Sequence, residues 1–140
     1  MKTTLAMPVW NDRVSTTFDF AQKLLVVEVE GEREVSRKKV PLRYRSGARK
    51  AQTIRDLGIQ VLLCGAISRP LARFVSQAGA HIYPLVTGQV DDVLAAYLCG
   101  RLSEPRFLQP GCRPGARRRW RHRCDFRGNN QPWQQTTKEV

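Results

Sequence analysis

The side chains best equipped for chemistry in this sequence are four cysteines, at positions 64, 99, 112 and 124, and a large excess of arginine and lysine. Cys112 stands in Gln109-Pro110-Gly111-Cys112-Arg113-Pro114, a loop-forming context whose cationic neighbours lower a thiol pKa. A thiolate there can ligate a soft metal or an iron–sulfur species. The plainer alternative is an incidental cysteine in a polar segment. Cys64 closes an apolar run, where the role of a small buried residue competes with that of a ligand. Cys99 falls on a helical packing face. Cys124 and His122 make one short Cys/His tract that could assist Cys112. No two cysteines have the spacing of a zinc ribbon or a thioredoxin motif, and free thiols fit better than disulfides.

The chain carries 24 Lys+Arg against 12 Asp+Glu, a formal net charge of +12. Residues 104–140 hold nine of those cations and three of the acids. Earlier cations gather at Arg37, Lys38, Lys39, Arg43, Arg45, Arg49 and Lys50, with no acid among residues 35–55. Such charge attracts phosphates, nucleic acid, anionic cofactors or acidic proteins, and does not by itself choose among them. The run Arg117-Arg118-Arg119-Trp120-Arg121-His122-Arg123 would suit nucleic-acid phosphates with Trp120 stacked on a base, or would simply be solvated.

Catalysis has little to stand on. No P-loop, HExxH or Ser/His/Asp arrangement is present, and Asp19, Glu28 and Asp91 read as surface or capping residues, not as a two-metal site. No apolar run approaches the roughly 18–20 residues of a membrane-spanning helix. The opening segment lacks a signal-peptide core. A soluble, cytoplasmic protein without a membrane partner is expected.

The first hundred residues must position these groups, and they alternate strand and helix patterns. Residues 4–9 form a first strand, closed by Pro8 and the turn pair Asn11-Asp12. Residues 24–30 are apolar and β-branched, and residues 34–42 make their hairpin partner after Gly31-Glu32. Ser46 opens a helix over about 48–57 that Gly58 ends. The apolar run 59–64 has the character of a strand covered on both faces. Ser68 and Pro70 start the next helix, with Leu71, Phe74 and Val75 on its buried stripe and Gly79 at its end. Residues 80–85 give the last strand. Val90, Val93, Leu94, Tyr97 and Leu98 then mark a final amphipathic helix, with Asp91 and Asp92 in its first turn.

This order, βββαβαβα, predicts a three-layer α/β domain with a mixed five-stranded sheet containing one antiparallel strand, over residues 1–103. Residues 104–140 read as a flexible, disordered Arg-rich tail. In open α/β sheets, ligands gather at the carboxyl ends of the parallel strands. Three segments should converge there: Trp10-Asn11-Asp12-Arg13-Val14-Ser15, Cys64-Gly65-Ala66-Ile67-Ser68-Arg69 and Val86-Thr87-Gly88. Two lead into helix N-termini, which favour an anion, and Arg13 and Arg69 add charge. A tight strand-to-helix turn is the alternative for Gly65 and Ser68 alone.

The stretches Met7-Pro8-Val9-Trp10-Asn11-Asp12-Arg13-Val14-Ser15, Phe18-Asp19-Phe20-Ala21, Cys64-Gly65-Ala66-Ile67-Ser68-Arg69-Pro70-Leu71-Ala72, Gly88-Gln89-Val90-Asp91-Asp92-Val93-Leu94-Ala95-Ala96-Tyr97 and Pro110-Gly111-Cys112 stand out together. In combination they resemble the dinitrogenase iron–molybdenum cofactor biosynthesis family. The resemblance spans about residues 1–124. It implies a ribonuclease H-like fold and a non-catalytic protein of nitrogen fixation or a related process. Such a protein binds an iron–sulfur or iron–molybdenum cluster and passes it between cluster-assembly and cluster-accepting proteins. These clusters are anionic and thiophilic, so Cys112 and Cys64 become the expected metal ligands. Arg13, Ser15, Gly65, Ser68 and Arg69 become the expected cofactor-binding residues. A nucleic-acid-binding module acting through the arginine run is the alternative.

Overall fold

The computed structural model describes residues 2–42, 46–112 and Arg117. Its centre is β1 (Lys2–Trp10), whose residues 5–9 are all buried. Two short turn residues, Asn11 and Asp12, hold φ of 49° and 63° and fold β1 back onto β2 (Arg13–Val14). Left-handed pairs of this kind match the twist of a tight hairpin. The hairpin β3 (Lys23–Glu30) and β4 (Arg33–Pro41) follows. β3 lies antiparallel to β1, from Lys2↔Glu30 to Pro8↔Leu24. β5 (Val61–Leu63) and β6 (His81–Tyr83) continue the sheet on the other side, parallel to β1. The strand order is β4-β3-β1-β5-β6, with β2 off this path.

Alternation along the strands divides the core in two. Leu5, Met7, Val27 and Leu63 face Val90, Val93 and Leu94 of α3 (Val90–Leu98). Ala6, Val26, Leu62 and Ile82 face Ile54 of α1 (Gly47–Asp56) and Leu71 and Val75 of α2 (Arg69–Gln77). Strands buried on both faces read as continuous apolar runs, as these do. The helix α2 starts as expected: Ser68 accepts from the Leu71 N–H, and Pro70 occupies the first turn. Ser46 precedes α1 but makes no side-chain cap.

Three features depart from the sequence reading. The sheet has six strands, because β2 is too short to leave a periodic signal. β5 and β6 span three residues each, not six, because the chain turns away at Cys64 and at Leu85, the latter with φ of 63°. The packed body also runs past residue 103. Phe107 is buried, the 3-10 turn Pro105–Phe107 is formed, and Leu108 bridges Val86. The apolar Phe107 was hidden in a segment read for its prolines, glycines and charge. Residues 113–116 and 118–140 lie outside the described residues. Among the described residues no helix is long and apolar enough to cross a membrane.

Candidate functional site

The carboxyl ends of β1, β5 and β6 share one edge of the sheet, and the loops that leave them are knitted together by backbone bonds. Arg13 bridges Gln89, the Val14 N–H donates to Gly88 O at 3.0 Å, and the Val90 N–H donates to Asp12 O at 2.9 Å. Thr17 bridges Ala66, whose N–H donates to Thr16 O at 2.8 Å, while the Phe18 N–H donates to Ala66 O at 2.9 Å. The three segments expected at this edge therefore meet. A fourth joins them. Gln109 donates its backbone N–H to Leu85 O and its side-chain Nε2 to Thr16 O, both at 2.9 Å.

Arg13 and Ser15 line one cleft of about 350 Å³ with Trp10, Thr17, Phe20 and Gln22. Trp10 and Phe20 stand 66% and 83% exposed, and Arg13 is exposed beside them. Gly65 lies buried behind this loop. A Cβ there would fall 2.6 Å from Ser15 O and from Gln109 Nε2, and closer still to Thr16 O. Its role is therefore to let backbones approach. Ser68 and Arg69 are exposed at the start of α2.

That helix N-terminus already holds an anion of the chain's own. Asp19 accepts the Ser68 N–H at 2.8 Å, which satisfies an orphan donor and complements the helix dipole. Lys50, buried in α1, secures Asp19 in turn. Its Nζ donates to Phe18 O at 3.0 Å and to Asp19 O, and sits 5.6 Å from the Phe18 ring centre. Burial pushes the Lys50 pKa down, with the Asp19 charge opposing it. The expected anion pocket at α2 is thus partly filled from within, and the open part of the edge is the Arg13 side.

The cysteines separate clearly. Cys64 has no exposed surface and packs in the apolar cluster with Phe18, Leu62 and Ala72. Burial pushes its thiol pKa well above the ordinary value, with Arg117 opposing only weakly. With no exposed surface its sulfur is not presented to a ligand, so its surroundings favour the small buried residue over the expected ligand. Cys112 is half-buried, and its N–H donates to Gln109 O at 3.1 Å. It lies three residues after Gln109, the residue that reaches the Thr16 loop. Cys99 is exposed at the end of α3. Cys124 and His122 lie outside the described residues.

The buried thiol has a consequence for stability. A folded pKa above the unfolded one stabilises fully below the unfolded value, near 9 for Cys64, and that contribution is lost as pH rises further. Tyr97, pushed up to about 12 chiefly by burial, acts in the same sense above pH 10. Lys50 acts in the opposite sense. Denaturant midpoints measured between pH 8 and 11 should fall more steeply for wild type than for Cys64→Ala. Equal slopes would show that the thiol ionises freely in the folded state.

Sequence reasoning allowed Asp19 a capping role without placing it at α2, and it missed Lys50, Gln109 and Arg117 as tethers. Arg117 belongs to the run that would suit nucleic acid or would simply be solvated, yet its guanidinium is spent inside the protein. It donates to Pro84 O at 2.6 Å, Leu102 O at 2.9 Å and Phe107 O at 3.0 Å. The rest of that run, Arg118 to Arg123 with Trp120, lies outside the described residues.

Comparison with known proteins agrees with the fold. An uncharacterized protein of Methanocaldococcus jannaschii is 23% identical over 105 residues, covering 71% of this chain and 89% of its own. The crystal structure of PH0822 superposes with a TM-score of 0.67 at 24% identity, covering 71% of this chain and 91% of that one. The apo form of the orange protein from Desulfovibrio gigas gives 0.60 at 20% identity, covering 71% and 89%. At these identities the two structures speak for the fold alone. The family model described as dinitrogenase iron-molybdenum cofactor matches residues 1–100, and with most of its length covered the chain belongs to that family.

Proposed function

We propose that this protein is a non-catalytic binder and carrier of an anionic iron–sulfur or iron–molybdenum cluster, taken up and released at the carboxyl edge of the sheet. The observation that carries the reading is the bond from the Gln109 side chain to Thr16 O, which brings the segment leading to Cys112 to the loop that lines the Arg13 cleft, in a member of this family. A cluster is anionic and thiophilic. Cys112 supplies a sulfur ligand, and Arg13 and Arg69 supply charge that a neutral cargo would not need. Among the described residues no three His, Cys, Asp or Glu side chains gather into a metal-holding group, and on this reading the Cys112 sulfur and the surrounding charge hold the cargo. A grip of that kind suits cargo that must leave again. The partners on this reading are proteins that assemble or accept the cluster, and the scaffold is ribonuclease H-like, which the strand order supports.

Anaerobic reconstitution with iron and sulfide tests it. Wild type should retain iron and sulfide-to-iron charge-transfer absorbance after desalting. Cys112→Ala and Arg13→Glu should each lose most of both, and Cys64→Ala should keep them. Equal retention by wild type and Cys112→Ala would overturn the assignment.

A further inference from the structure

We infer that Arg117 is a positioning residue which, together with Gln109, fixes both ends of the short segment carrying Cys112 at the carboxyl edge of the sheet. The consequence for cluster binding rests on the function proposed above; the anchoring does not.

Arg117 is only 9% exposed. Burying a guanidinium is costly unless its donors are met, and here three carbonyls meet them. Those carbonyls belong to separate segments. Pro84 follows β6, Leu102 lies beyond α3, and Phe107 closes the 3-10 turn. One planar fork therefore ties three stretches of backbone to the chain beyond Cys112. A lysine ammonium cannot reproduce that geometry.

On the other side of Cys112, Gln109 is held at three points. Its backbone N–H meets Leu85 O, its side chain meets Thr16 O, and its carbonyl accepts the Cys112 N–H. Leu85, which receives it, has φ of 63°, uncommon for a residue with a side chain. Its N–H donates to Gly65 O at 2.9 Å. Such a conformation persists where the surroundings over-determine it. Even fully extended, the three residues from Gln109 span about 10 Å and the five back from Arg117 about 17 Å. Cys112 therefore cannot leave this edge while both anchors hold.

A nitroxide on Cys112 reads this directly, in the full chain with Cys99→Ser and Cys124→Ser and no metal added. Wild type should give a restricted spectrum. Arg117→Gln and Gln109→Ala should each shorten the rotational correlation time severalfold, with near-UV circular dichroism unchanged. Arg117→Lys should not restore the restriction. Should Arg117→Gln fail to fold, Gln109→Ala and Arg117→Lys give the same reading. Unchanged spectra in the folded variants would overturn the anchoring. Iron retention by the unlabelled variants separates the two claims. Released Cys112 with wild-type retention upholds the anchor and overturns its consequence for cluster binding, while Cys112→Ala alone decides whether Cys112 is the ligand.

Discussion

Gly65→Ala is expected to lower stability by about 3 kcal/mol, or the melting midpoint by about 10 °C, through a single added methyl group. The added carbon would lie 2.6 Å from Ser15 O and closer still to Thr16 O. Both obstacles are backbone, so neither can swing aside as a side chain would. The third neighbour, Gln109 Nε2, can move, but only by releasing Thr16 O. Relief therefore requires the loops that converge on this edge to separate. Gly65 is not needed for an unusual φ, so the cost is one of space alone. Thermal unfolding followed by circular dichroism measures it, and an unchanged midpoint would show that the loops pack less closely than described. The same substitution should speed amide exchange at Ala66 and Phe18, whose N–H groups bond across the gap.

The sequence carried the architecture further than the site. Ser68, Pro70, Gly58 and Gly79 punctuate helices by local rules, and those rules act over a few residues. Right-handed crossovers then place the ends of β1, β5 and β6 on one edge, which is why Arg13, Gly65 and Gly88 could be brought together on paper. The contacts that complete the edge are different in kind. Asp19 caps a helix whose N-cap residue, Ser68, lies 49 residues later. Lys50 sits within a basic stretch read as attracting anionic partners, yet its amine serves two carbonyls of a loop 31 and 32 residues away. Arg117 begins a run whose composition announces solvent or nucleic acid, and it is buried. Neither periodicity nor charge density records which backbone carbonyl a long side chain will find. Cys64 shows the reverse case. Its apolar neighbours Leu62 and Leu63 were visible, and they outweigh the chemistry of its sulfur.

Phe18→Ala should be more damaging still, by about 3–5 kcal/mol, because this ring is the floor on which the cleft loop rests. Phe18 has no exposed surface and packs with Leu24, Ile54, Leu71 and Cys64. Deleting the ring removes the burial of a large apolar group and leaves a cavity between sheet and helices. It also exposes Lys50, whose amine lies 5.6 Å from the ring centre. Water admitted there would compete for Lys50, raise its pKa back toward the ordinary value and weaken its bonds to Phe18 O and Asp19 O. Asp19 would then hold the Ser68 N–H less firmly, so damage to the core would travel to the start of α2. Phe18→Leu keeps most of the volume and should cost less than half as much. Urea unfolding of the two variants checks the ranking. Exchange at the Ser68 amide checks the route, and protection there equal to wild type in folded Phe18→Ala would break the link between ring, lysine and helix cap.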